Sequence, residues 1–79
     1  MHDTFAVSVL RNRIRRLRFE QDETTQQQLA DAVGVARQTV NSIEKGKFNP
    51  SILLALRIAD YFGCTVDDVF YMDEQEGEK

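Results

Sequence analysis

Thr25 to Gly46 reads TQQQLADAVGVARQTVNSIEKG, and this stretch decides the fold. Apolar residues return at helical spacing on both sides of Gly34: Leu29 and Val33 are four apart with Ala30 beside them, and Val40 and Ile43 are three apart. Each segment then has one narrow apolar face and one polar face, so neither is stable alone. Gly34 falls where the first helix must close in a left-handed conformation, which glycine reaches without a Cβ penalty. Val35 beyond it can fold back onto the apolar stripe. The expectation is a helix over about 26–33, a tight turn, and a second helix over about 37–45. Thr25 has the chemistry to start the first helix, because its hydroxyl can accept from the free amides at Gln27 or Gln28 and Gln28 completes a capping box.

The second helix carries an exposed polar row. Arg37, Gln38 and Thr39 occupy its first turn, with Asn41 and Ser42 following on the solvent side. Arginine pairs two-pronged with guanine, glutamine does so with adenine, and threonine offers a hydroxyl and a methyl. A polar first turn pushed into a major groove is how a helix-turn-helix reads sequence.

The run TQQQLADAVGVARQTVNSIEKGKFNPSILLALRIADYFG resembles the Xre-type, lambda-repressor-like helix-turn-helix regulators, and the likeness extends from about Asn12 to Phe70. The resemblance implies an all-α, five-helix domain, a sequence-specific operator on double-stranded DNA, and a symmetric homodimer. By the same likeness Gln26 would bind phosphate at the start of the second helix, and Arg37, Gln38 and Ser42 would face base edges. Lys45, Lys47 and Asn49 would hold the DNA backbone, and Arg18 would pair with Glu44. Two departures stand out. The linker Asp22-Glu23-Thr24 is one residue longer than the pattern, and Ala36 stands where serine or threonine would cap the recognition helix.

Seventy-nine residues with 42% apolar content make one small domain with a single core. No stretch is apolar and long enough to span a bilayer, and no signal-peptide core is visible, so the expected location is the cytoplasm. Cys64 is the single cysteine, which can form neither an internal disulfide nor a zinc site. The net charge of −3 argues against a nucleic-acid partner until it is divided along the chain. Residues 1–57 hold nine Lys and Arg against six Asp and Glu, whereas residues 58–79 hold one against seven. Because the local field governs binding, the acidic end is expected to point away from DNA.

In chain order, residues 1–11 form an N-terminal extension in which Phe5, Val7 and Val9 alternate with small residues. That pattern suits a short strand, the alternative being a helix opened early from Ser8. His2 has no partner to make it a ligand or catalyst. Asn12 would cap a first helix from Arg13 to about Gln21 with Ile14 and Leu17 inward, its arginines other than Arg18 lying on a solvated face. After the recognition helix, Phe48 is expected as a core plug, and Ser51 as the cap of a nearly all-apolar helix from Ile52 to Phe62. Thr65 would cap a fifth helix with Asp68 three residues on. Residues 71–79 read as an acidic tail, disordered from Asp73 onward. Leu53, Val69, Phe70, Tyr71 and Met72 are the candidate dimer interface, and the 69–72 ribbon would otherwise pair with the N-terminal strand, giving a two-stranded antiparallel element from the termini.

No nucleophile lies beside a base and no paired carboxylates or metal-ligand cluster appears, so neither enzymatic activity, a cofactor, a metal nor a small-molecule ligand is expected. The leading function is a transcriptional regulator, with repression as the expected direction. The alternative is a protein-interaction module such as the antitoxin of a toxin–antitoxin pair.

Overall fold

Gly34 stands at φ +81°, and the Val35 amide behind it reaches back 3.0 Å to the carbonyl of Ala30, closing one helix and aiming the next. Around this corner the computed structural model describes residues 6–76, with side chains described for residues 9–73. The order is β1 (Ala6–Asn12), α1 (Ile14–Glu20), α2 (Gln26–Val33), α3 (Arg37–Glu44), α4 (Ile52–Phe62), α5 (Val66–Val69) and β2 (Phe70–Glu76). The expected five helices and the two-stranded element from the termini are therefore both present. Phe5 and His2 lie outside the described residues.

Caps written into the sequence set most boundaries. Thr25 and Gln28 form the reciprocal box, at 3.0 Å from the Gln28 amide to the Thr25 hydroxyl and 2.8 Å from the Thr25 amide to the Gln28 side chain. Ser51 accepts from the Leu54 amide, and Thr65 pairs in the same way with Asp68. The amide and hydroxyl of Thr65 hold the Asp68 carboxyl below its ordinary range. At the first helix the expected start moves by one residue: Asn12 ends β1, and its side-chain oxygen accepts from the Ile14 amide at 3.1 Å. The Asn12 amide nitrogen also donates to the Ile43 carbonyl at 2.9 Å, tying the strand to the end of α3.

The core gathers one side of every helix: Ile14 from α1, Leu29 and Val33 from α2, Val40 and Ile43 from α3, Leu54 and Ile58 from α4, and Val69 from α5. Burial of these stripes drives assembly, at about 25 cal/mol for each Å² of apolar surface removed from water. Cys64 is partly buried against this core, which pushes its thiol above the ordinary range.

Three expectations are corrected. Asp73 does not begin a disordered tail, because β2 runs on to Glu76 in antiparallel register with β1, pairing Leu10 with Met72 and Ala6 with Glu76. The partner strand pairs the backbone groups on one edge of β2, and Arg11 lies 3.2 Å from the Asp73 carboxylate. Val69 and Phe70, proposed for a dimer face, are instead 0% and 6% exposed and belong to the core. Phe48, expected inside, is 50% exposed, because the loop after α3 turns outward at Gly46 and leaves the core complete without it.

Candidate nucleic-acid interface

The rotation of α3 is fixed from below. Val40 and Ile43 are buried at 0% and 1% exposure, so the opposite side of the helix faces outward with Arg37 and Gln38 exposed and Thr39, Asn41 and Ser42 half-buried at the flanks. Ala36 begins the helix in an extended conformation with no side-chain hydrogen bond to the open amides, as its methyl side chain dictates.

A chain of polar contacts locks α3 against α1 and α2. Arg18 grips Glu44 two-pronged, at 2.7 and 3.1 Å, and its third contact is a 2.9 Å bond to the Thr24 carbonyl. Both side chains are largely out of water, 17% and 8% exposed. That last bond secures the linker, in which Asp22 and Glu23 both adopt positive φ, at 56° and 54°. Two successive left-handed residues with side chains are unfavourable, and the hydroxyl of the buried Thr24, donating 2.8 Å to the Gln21 carbonyl, helps to hold them.

Gln26, at the first turn of α2, extends the chain to the reading face. Its amide nitrogen donates to Glu44 at 3.1 Å and to Asn41 at 3.2 Å, and its oxygen accepts from Arg37 at 3.4 Å. Both N–H donors of the side chain are thus engaged within the protein, and it orients two residues of the exposed row. Thr25 is exposed beside it, its hydroxyl engaged in the capping box.

Beyond α3, Lys45 and Lys47 are exposed on either side of Gly46, whose φ of +75° turns the loop, and Asn49 follows, also exposed. Neither lysine has a carboxylate partner among the described residues. Of the expected dimer residues, Leu53, Tyr71 and Met72 are at the surface, 58%, 40% and 66% exposed, and α4 adds Ile52 and Leu56 to Leu53.

Two residues on this side carry placements that the sequence reading did not assign to the interface. Arg15 lines a cleft of about 380 Å³ with Arg18, Gln26, Asn41, Glu44 and Lys45, and its guanidinium makes no hydrogen bond or ion pair among the described residues. Its spacing of three from Arg18 puts it on the same face of α1, a signal available in advance. Phe48 walls a depression beside Gln38, Thr39 and Ser42, a placement that depends on the direction of the Gly46 turn. Among the described residues no group of three or more His, Cys, Asp or Glu is placed to hold a metal ion, and no helix is long and apolar enough to cross a membrane.

Comparison with known proteins agrees with this geometry. A family model described as helix-turn-helix matches residues 14–69, from the start of α1 to the end of α5. An uncharacterized HTH-type transcriptional regulator of Methanocaldococcus jannaschii is 48% identical over 52 residues, covering 66% of this chain and 79% of that protein. Another, of Archaeoglobus fulgidus, is 45% identical over 67 residues, 85% of this chain and 93% of its own length. The HTH-type regulator YgzD of Bacillus subtilis is 42% identical over 66 residues, 84% of this chain and 98% of its own.

Proposed function

The chain belongs to the helix-turn-helix family of transcriptional regulators, and from that membership we propose that it works in the cytoplasm as a homodimeric repressor on a palindromic operator. In this reading α3 enters the major groove. Arg37, Gln38, Thr39, Asn41 and Ser42 meet base edges, while Thr25, Gln26, Lys45, Lys47 and Asn49 line the sugar-phosphate backbone on either side. The observation that carries the proposal is the contrast across α3: an apolar stripe buried to 0–1% exposure at Val40 and Ile43, and an opposite row of polar side chains, two of which, Arg37 and Asn41, Gln26 contacts. Such a helix reads sequence only if it is rigid before it binds, and the Arg18–Glu44–Gln26 chain supplies that rigidity.

The dimer would form through Leu53, with Ile52 and Leu56 beside it on α4, and through Tyr71 and Met72 on β2. Two copies related by a two-fold axis would present their α3 helices to successive major grooves, about 34 Å apart. Repression follows from occupancy, since a dimer lying across a promoter excludes other proteins from the same grooves.

Selection of duplexes from a random pool, followed by gel shifts at two salt concentrations, tests the whole reading. The expected result is an inverted repeat bound far more tightly than the unselected pool, with both affinities falling as salt rises. Recovery of no common sequence would overturn the operator, and recovery of a single unrepeated half-site would overturn the dimer. Salt-independent binding would overturn the backbone contacts.

A further inference from the structure

The Gly46 turn brings an aromatic ring to the rim of the reading face. The Lys47 amide is fixed by a 2.9 Å bond to the Ser42 carbonyl, and Pro50 restricts the chain four residues after Gly46, so Phe48 is held on a short tether beside α3. Its ring, half exposed, closes an open depression of about 290 Å³ whose other walls are Gln38, Thr39, Ser42 and Lys47. A single exposed aromatic is unremarkable, but the walls here are three residues assigned to base edges and one assigned to phosphate. No carboxylate lines the depression, and Lys47 makes it attractive to a polyanion.

The ring and the Thr39 methyl supply the apolar element of an otherwise polar surface. Among the groups that B-form DNA presents in its major groove, the one matching apolar feature is the 5-methyl of thymine. We propose that Phe48 is a specificity residue whose ring, with Thr39, receives the methyl group of one thymine in each operator half-site. This rests on α3 being the base-reading helix. Insertion of the ring between base pairs does not fit, because such wedges work from the minor groove and Phe48 accompanies a helix assigned to the major groove.

The test uses the selected duplex, remade with deoxyuridine in place of one thymine at a time. At one thymine per half-site, removal of the methyl should weaken binding of the full chain by roughly four-fold, the transfer of one methyl group from water. Phe48→Ala should lose most of the difference between the thymine and deoxyuridine duplexes, the Thr39 methyl keeping a remnant, and Phe48→Leu, which keeps an apolar group and serves if the alanine variant melts early, should retain more of it. The proposal is overturned if no single thymine is sensitive, or if the chain with Phe48 and the alanine variant lose affinity alike; the ring would then lie against deoxyribose or serve the fold. Failure to select any common duplex would overturn the α3 reading together with this one, whereas a deoxyuridine-insensitive operator overturns this one alone.

Discussion

On the β1–α1 side of the molecule four of the five arginines have partners within the protein, although only Arg18 is largely out of water. Arg11 lies 3.2 Å from Asp73, Arg13 stacks 4.1 Å over the Tyr71 ring, Arg16 pairs with Glu20 at 3.1 Å, and Arg18 clasps Glu44. On the α3 side, among the described residues, Lys45 and Lys47 stand in solvent with no carboxylate partner, and the one side-chain hydrogen bond of Arg37 is a 3.4 Å bond to a neutral amide. The two sets therefore differ in function although they look alike as letters. A cation already neutralised by an acid gains little from a phosphate, whereas an unneutralised one displaces counterions when it meets a polyanion. Arg15 breaks the pattern, a cation with no ion-pair partner among the described residues on the otherwise committed side, and it faces the same cleft as Gln26 and Lys45.

The sharpest break of this comparison is at Arg18. Arg18→Ala strands Glu44, 8% exposed, without its counter-charge, and should cost roughly 3 kcal/mol in urea unfolding. Arg16→Ala removes a pair whose partners are 72% and 54% exposed and should change stability by less than about 0.5 kcal/mol. Equal effects at the two sites would mean that burial does not separate structural from idle arginines here.

Next in size is Lys47→Ala. Stability should hold, while DNA affinity should fall alike for every sequence and the slope of log affinity against log salt should shrink by about 0.9. An unchanged slope would show that this ammonium meets no phosphate. A small gain is expected of Ala36→Ser, which gives the open amides of α3 a hydroxyl and should raise stability by about 0.5–1 kcal/mol without altering the preferred duplex. A lower melting temperature would place the start of α3 elsewhere.

How much of this was legible beforehand follows the range of the interactions involved. Both ends of α2 and the start of α4 are set by residues within a few positions, Thr25 with Gln28, Gly34 with Val35 and Ser51 with Leu54, and such pairs are readable from one strand of letters. The Arg18–Glu44 pair spans 26 residues and came from family likeness alone. What failed depended on partners distant in sequence. Asp73 looks like the start of a charged tail until β1 lies opposite it, and Val69 and Phe70 look like surface ribbon until the end of α5 turns them inward. Phe48 reads as a core plug because nothing in the sequence suggests a minor-groove wedge, yet a core already filled by Val40, Ile43 and Leu54 has no need of it. At the candidate site, the row from Arg37 to Ser42 was visible as polar letters on one helical face. The engagement of Gln26 with Asn41, Glu44 and Arg37 was not, since it requires α2 and α3 to be placed in space.

The central claim is that the outward side of α3 reads base edges, and Arg37 tests it most directly. On the selected operator, guanines are replaced one at a time by 7-deazaguanine, which lacks the N7 acceptor that an arginine fork needs. The full chain should lose roughly 1–3 kcal/mol at one guanine per half-site, and Arg37→Ala should bind the two duplexes equally. If Arg37→Ala instead weakens every duplex by the same factor and remains as sensitive to the replacement as the full chain, α3 is not the helix that reads the sequence.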